Sequence, residues 1–127
     1  MSAPDGDLGV RIAAVGDIHV GDDLRDKVRP RFAALDAHAD VLVLAGDLTR
    51  CGTLDEIRLL TDELDEVLVP IVAVLGNHDL HADEGDALAR HLEGCGIVVL
   101  EGSATTFDVR GTTVAFAGTI GFGGGFP

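Results

Sequence analysis

Basic residues, cysteines and long hydrophobic runs are scarce in this 127-residue sequence, and each scarcity excludes a class of protein. Nine Lys and Arg against 22 Asp and Glu give a net charge of −13. This balance argues by default against a nucleic-acid partner, because phosphate backbones are bound by clustered basic side chains. The longest apolar run, residues 67–75, is nine residues long and contains Pro70, which is too short for a membrane span. We therefore expect no nucleic-acid and no membrane partner, although metal cations in a site would weaken the first inference.

Cysteines are limited to Cys51 and Cys95, which lack the spacing of a metal finger and are predicted to be reduced, partly buried thiols. The N-terminal residues 1–9 show neither the basic nor the apolar region of a secretory signal, so a cytoplasmic location is expected. The length and the 46% hydrophobic content are typical of an α/β protein. We expect residues 1–127 to form a single domain.

Three aliphatic runs, residues 10–15, 41–45 and 71–75, are apolar at successive positions. This pattern predicts strands that are buried on both faces of a parallel sheet. Apolar residues at helical spacing predict a helix between the first two runs, with a break or kink near Pro30. Between the second and third runs, a capping box of Thr53 and Glu56 predicts a firmer helix.

The remaining residues predict one more helix, one more strand and a hairpin. The helix is expected to begin near Asp83 and to end at Gly94, and residues 97–100 are expected to form a strand. Alternating apolar residues on both sides of Arg110-Gly111 predict a β-hairpin. Residues 121–127 are predicted to be a glycine-rich loop.

Glycine followed by polar residues ends each of the three aliphatic runs, in "VGDIH", "AGDL" and "LGNHD". The intervals from Asp17 to Asp47 and from Asp47 to Asn77 are each 30 residues, about the size of one βαβ unit. Because parallel strands place their carboxyl ends at one edge of the sheet, certain polar residues should converge. They are Asp17, His19, Asp47, Asn77 and His78.

Carboxylate, amide and imidazole groups in one place are typical ligands of divalent ions such as Mn, Fe or Zn. Asp47 is central in the expected order of the sheet and could bridge two ions. Two ions bridged in this way would lie about 3.5 to 4 Å apart, the geometry used for in-line displacement at phosphorus. A simpler interpretation exists for each residue alone: Asp17 or Asp47 could be a helix N-cap or turn residue, and His78 a structural histidine. The three equally spaced loops favour the metal site.

The motifs "GDIH", "GD" and "GNHD", in this order and spacing, resemble the signature of the calcineurin-like metallophosphoesterases. The resemblance implies an α/β fold, an αββα sandwich of two mixed sheets, of which this chain would be the N-terminal portion. It also implies two divalent metal ions, with manganese among the candidates. Asp17 and His19 would bind the first ion, Asp47 would bridge, and Asn77 would bind the second.

The same resemblance implies catalytic roles for the residues that follow Asn77. His78 would contact the phosphoryl group and protonate the leaving oxygen, and Asp79 would orient the His78 imidazole. The expected activity is hydrolysis of a small phosphate ester, either a phosphomonoester or a phosphodiester. The sequence does not choose between them.

One departure from the family pattern concerns the remaining metal ligands. The late "GHxH" motif is absent, and His81 and His91 are predicted to be surface residues. The first ion would then have three protein ligands and the second two, with Asp47 counted for both. We therefore expect the sequence to be a truncated part of a longer phosphoesterase, with little or no hydrolysis by these 127 residues alone.

Two other functions remain open from the sequence. A phosphoesterase fold without its full ligand set could be a protein-interaction scaffold that uses an exposed apolar sheet face. A nucleotide-binding α/β domain would also have glycine loops at strand ends, but neither of the usual glycine-rich phosphate-binding motifs follows any strand here.

Overall fold

The computed structural model describes residues 9–120, and its centre is a four-stranded parallel sheet. The strands pair in chain order and are β1 (Ile12–Val15), β2 (Val41–Ala45), β3 (Ile71–Val74) and β4 (Val98–Val99). Because all three pairings are parallel, the carboxyl ends of the strands lie at one edge. The predicted α/β class is confirmed, and β4 confirms the strand predicted at residues 97–100.

The connection between β1 and β2 differs from the predicted helix, because the described chain forms short 3₁₀ turns there. These turns are Asp22–Leu24, Arg29–Phe32 and Leu35–Ala37. Pro30 lies in the first turn of the middle piece, whereas inside an α-helix it would remove a backbone hydrogen bond. The buried carboxylate of Glu63 fixes this segment by accepting hydrogen bonds from the backbone N–H groups of Val28 (3.1 Å) and Arg29 (3.2 Å).

Two α-helices follow β2 and β3. Helix α1 (Leu54–Glu63) has the predicted capping box: the hydroxyl of Thr53 accepts from the N–H of Glu56, whose carboxylate accepts from the N–H of Thr53. Helix α2 (Gly85–Gly94) ends where predicted but begins two residues later. The reason is the left-handed φ of 60° at Asp83, which an α-helix cannot include.

The predicted hairpin is present as β5 (Ser103–Val109) and β6 (Thr112–Gly118), which pair antiparallel. Arg110 and Gly111 form its two-residue turn with φ of 50° and 83°. Two left-handed central residues suit the right-handed twist of the flanking strands. The predicted loop at residues 121–127 lies outside the described residues.

Asp40, immediately before β2, ties the hairpin turn to the start of the sheet. Its carboxylate accepts hydrogen bonds from the guanidinium of Arg110 (2.8 Å) and from the backbone N–H of Arg11 (2.8 Å). The hydrogen bond from Arg110, followed by those from Arg11, holds the pKa of Asp40 well below its usual range.

The two faces of the sheet are covered differently. Both helices pack on one face, and the largest buried side chains there include Leu42, Leu44, Leu48, Ile57, Leu60, Leu88 and Leu92. The hairpin covers the other face only in part, through Phe107 and Phe116. Ile12 is 49% exposed, and an open groove of about 770 Å³ lies between the sheet and the hairpin. The expectation of burial on both faces is therefore wrong for the edge strand β1, whose exposure alternates.

Both cysteines are free and exposed. The expectation that Cys51 and Cys95 are partly buried is therefore wrong. Among residues 9–120, no helix has the length and apolar character needed to cross a membrane.

Candidate metal centre

The loops after β1 and β2 meet because their backbones continue to pair where the strands end. The N–H of His19 donates to the carbonyl of Asp47 (3.0 Å), and the N–H of Val20 donates to that of Leu48 (2.9 Å). Val20 and Thr49 also form an isolated parallel bridge. This pairing places His19 directly beside Asp47.

Three of the predicted ligands have a left-handed backbone. Asp17, His19 and Asp47 have φ values of 55°, 50° and 52°. Gly46, which precedes Asp47, also has a left-handed φ of 89°, so this conformation is shared by glycine and by ligand residues. Non-glycine residues in this region cost about 1–3 kcal/mol each and concentrate at functional sites.

The imidazole of His19 contains a buried nitrogen that lacks a hydrogen-bond partner among the described residues. This Nε2 lies 3.7 Å from Oδ2 of Asp47 and 3.8 Å from Oδ1 of Asp17. Two ligand atoms that bind one ion at about 2.1 Å each can be at most about 4.2 Å apart. A cation between the imidazole and either carboxylate would therefore satisfy the nitrogen, and the residues present fit a divalent metal ion.

His78 joins this cluster from the loop after β3. One ligand atom from each of His19, Asp47 and His78 lies within 4.8 Å of the other two. The two imidazoles stack with ring centroids 4.4 Å apart, and the backbone N–H of His78 donates to Oδ1 of Asp47 at 2.9 Å. The structure thus brings together residues from all three loops, which were predicted to converge.

The orientation of the His78 ring is set by a backbone carbonyl. Its Nδ1 lies 2.8 Å from the carbonyl oxygen of Arg50. Because a carbonyl only accepts, Nδ1 must carry a proton, and in the neutral ring Nε2 keeps its lone pair. Such a contact fixes the tautomer of an imidazole that binds a metal or transfers a proton.

Asp79 has surroundings that differ from those expected for the partner of His78. Its carboxylate is fully buried and accepts four hydrogen bonds, two from the backbone and hydroxyl of Thr49 (2.8 and 2.7 Å) and one each from the N–H groups of Leu48 (3.1 Å) and Gly76 (2.8 Å). Asp79 therefore joins the second and third loops. Its predicted catalytic role stays a prediction.

Asp17 and Asn77 lie at the rim of the site. The side chain of Asp17 is 79% exposed. Asn77 is exposed and precedes the 3₁₀ turn His78–Leu80 without a side-chain capping bond. Their roles as metal ligands stay predictions, and neither side chain is committed to another hydrogen bond in the described part of the chain.

Glycines allow the loops to approach each other closely. A Cβ atom on Gly76 would lie 2.3 Å from the backbone nitrogen of Asp47. A Cβ atom on Gly52, which has φ 76°, would lie 2.7 Å from the carbonyl oxygens of His78 and Asp79. Any larger residue at these positions would separate the loops that form the site.

The two later histidines differ from each other. His81 is exposed, as predicted, and its ring centroid lies 4.9 Å from that of His78. His91 was predicted to be a surface residue, but it is half-buried, and its Nε2 lies 2.9 Å from the hydroxyl of Thr61. This contact joins α2 to α1 and explains its burial.

Sequence reasoning missed Thr49 and Arg50, which follow the second glycine motif. Thr49 is fully buried and supports Asp79, and Arg50 holds His78. The available signal was the length of the connection between β2 and α1, residues 46–53, which exceeds the roughly 2–6 residues usual for such loops.

Residues 10–118 match a family model described as calcineurin-like phosphoesterase. The matched region includes all three loops of the candidate metal centre. No curated protein matches the chain.

Proposed function

Because the chain belongs to the calcineurin-like phosphoesterase family, we propose that it binds divalent metal ions at the candidate metal centre and hydrolyses a phosphate ester there. The observation that carries the proposal is the buried Nε2 of His19, 3.7 Å from the carboxylate of Asp47 and without a hydrogen-bond partner in residues 9–120. Family membership indicates metal-dependent phosphoester hydrolysis in general. We further propose that the site holds two divalent ions and that the substrate is a phosphomonoester or a phosphodiester.

Each predicted ligand has a role in this proposal. Asp17 and His19 would hold one ion, Asn77 would hold a second, and Asp47 would be shared. Carboxylate, amide and imidazole donors accept Mn, Fe, Zn, Ni or Co. The ions would supply Lewis acidity at the phosphoryl group.

His78 would transfer a proton in this proposal. With Nδ1 donating to the carbonyl of Arg50, Nε2 is the nitrogen that can gain or release a proton. A protonated Nε2 would donate to the leaving oxygen, while the carbonyl keeps the ring in place. Asp79 would act indirectly, by holding the loops that bear Asp47 and His78.

Metal content after reconstitution with manganese tests the first half of the proposal. We would compare the wild-type chain with Asp47→Asn, using Asp83→Asn as the matched control. Asp47 and Asp83 have φ values of 52° and 60°, and asparagine tolerates this region well, so both variants remove one charge without a backbone conflict. We expect at least one bound ion in the wild type and the control and reduced occupancy in Asp47→Asn. Equal occupancy in all three proteins would contradict the site.

Hydrolysis of p-nitrophenyl phosphate and bis-p-nitrophenyl phosphate tests the second half. We expect low turnover by these 127 residues, because the predicted second ion has only two protein ligands. Turnover should require manganese and should fall in Asp47→Asn but not in Asp83→Asn. Fast turnover would contradict the expected low activity of these 127 residues. Hydrolysis that does not depend on metal would contradict the proposed mechanism.

A second candidate function, a protein-interaction module, is favoured by the open groove between the sheet and the hairpin, which is lined by apolar residues such as Val43 and Val74. Exposed apolar surface of this kind often marks an interaction site. A scaffold needs no metal, so specific manganese binding that depends on Asp47 would favour the enzyme. Absence of manganese binding would favour the protein-interaction module.

A further inference from the structure

The three loops of the candidate metal centre, residues 16–21, 46–53 and 76–81, contain one basic residue of the Lys or Arg type, which is Arg50. The same loops contain Asp17, Asp47 and Asp79, and the whole chain has a net charge of −13. A phosphate ester is an anion that must approach this negative surface. Besides bound metal ions, the guanidinium of Arg50 is the permanent positive charge that these loops offer.

The guanidinium of Arg50 lies across the first loop of the site. Its Nη2 is 3.4 Å from the carbonyl oxygen of His19 and 2.7 Å from Oδ1 of Asp23. A Cβ atom on Gly21 would be 2.8 Å from Nη1 and 3.0 Å from Cζ. The missing side chain at position 21 therefore provides the space in which the guanidinium lies.

The position of Arg50 is tied to the predicted proton-transfer residue. Its backbone carbonyl contacts Nδ1 of His78 at 2.8 Å, while its side chain reaches back to the backbone of His19. The side chain is 46% exposed, so part of the guanidinium is accessible to a ligand. Arg50 thus contacts the ring of His78 through its backbone carbonyl and the backbone of His19 through its guanidinium.

We infer that Arg50 is a substrate-binding residue that grips the non-bridging phosphoryl oxygens of a phosphomonoester, and that Asp23 competes with the substrate for its guanidinium. This inference rests on the proposed function. A guanidinium binds two oxygens side by side. A phosphomonoester has three non-bridging oxygens, so it can bind Arg50 through two of them and the metal centre through the third. A phosphodiester has only two such oxygens.

The pair of Arg50 and Asp23 contributes little to folding, which allows a clean test. The two side chains are 46% and 62% exposed, and exposed ion pairs stabilise proteins only weakly. Arg58 and Asp55 on α1 form a similar exposed pair, 3.7 Å apart, with 57% and 95% exposure. Arg58→Gln is therefore the matched control for the loss of one positive charge.

The experiment is calorimetric titration of methyl phosphate into the manganese-reconstituted 127-residue chain, with dimethyl phosphate as the diester probe. We expect Arg50→Gln to weaken methyl phosphate binding about tenfold, and Asp23→Asn to strengthen it about two- to fivefold. Arg58→Gln should stay within about twofold of the wild type. The preference for methyl over dimethyl phosphate should shrink in Arg50→Gln.

Several results would overturn the inference. They are absence of methyl phosphate binding by the manganese-loaded wild type, equal affinity of the wild type and Arg50→Gln, and weaker binding in Asp23→Asn. Manganese content, measured on each sample, distinguishes a failure of the inference about Arg50 from a failure of the proposed function. A wild type that takes up no manganese contradicts the metal centre, whereas normal manganese content with unchanged phosphate affinity in Arg50→Gln contradicts only the role of Arg50.

Discussion

Replacement of Asp79 by asparagine should destabilise the whole chain, because this carboxylate joins two loops through four hydrogen bonds. An amide keeps one oxygen, so two donors would face an NH₂ group instead of an acceptor. Hydrogen bonds to a charged group contribute about 1.5–3 kcal/mol each, and the loss of two gives about 3–6 kcal/mol before the loops relax. We expect a loss of about 3 kcal/mol, a large part of the roughly 5–15 kcal/mol that stabilises a typical domain.

Urea denaturation followed by circular dichroism measures this loss. Asp83→Asn is the control, because Asp83 is an exposed carboxylate in the same part of the chain, and it should change stability by less than about 0.5 kcal/mol. If Asp79 served mainly to orient the ring of His78, the asparagine variant would unfold nearly like the wild type. A free energy of unfolding within about 0.5 kcal/mol of the wild-type value would therefore refute the structural role.

The remaining predictions concern packing, capping and pH. Gly76→Ala should cost about 1–3 kcal/mol and reduce manganese binding, because its Cβ would lie 2.3 Å from the backbone of Asp47; Gly94→Ala, where a Cβ meets nothing within 4 Å, should be neutral or stabilising, and equal effects on urea midpoints would contradict the argument. Thr53→Ala should lower the free energy of unfolding by about 1 kcal/mol, and an unchanged urea midpoint would count against the capping box. The pKa of Asp40 is lowered in the folded state. The stability that the Asp40 carboxylate contributes is therefore fully present above the ordinary carboxyl pKa of about 3.9 and is lost as the pH falls towards the pKa of the folded state. The stability difference between the wild type and Asp40→Asn should therefore shrink on acidification below about pH 4, and a difference that is constant from neutral pH to acid would contradict this assignment.

The elements that the sequence predicted well are those with a local physical cause. The capping box of Thr53 and Glu56 needs only the spacing of two side chains, and it is present. The hairpin needs only alternating apolar residues on both sides of a short turn, and Arg110 and Gly111 form that turn. The convergence of His19, Asp47 and His78 followed from the parallel order of the strands and the equal spacing of the loops.

The parts that the sequence did not predict depend on contacts between distant residues. The first crossover has apolar residues at helical spacing, but Pro30 and the remote carboxylate of Glu63 favour 3₁₀ turns there. Asp79 was expected to orient His78, whereas the structure shows the backbone carbonyl of Arg50 in contact with Nδ1 of His78, a contact that no sequence pattern displays. The contact of His91 with Thr61 likewise requires knowledge of how α1 and α2 pack.

The left-handed backbone at Asp17, His19 and Asp47 places the candidate site in conflict with the stability of the fold. At about 1–3 kcal/mol for each such residue, the three positions together oppose folding by an amount comparable to the net stability of a small domain. Substitution of glycine at any of them would relax the backbone while removing a ligand. A search for more stable variants would therefore select against these residues as it would against Asp26, Asp83 and Arg110, which share the conformation, and a library screened only for thermal resistance should lose metal binding as it gains stability.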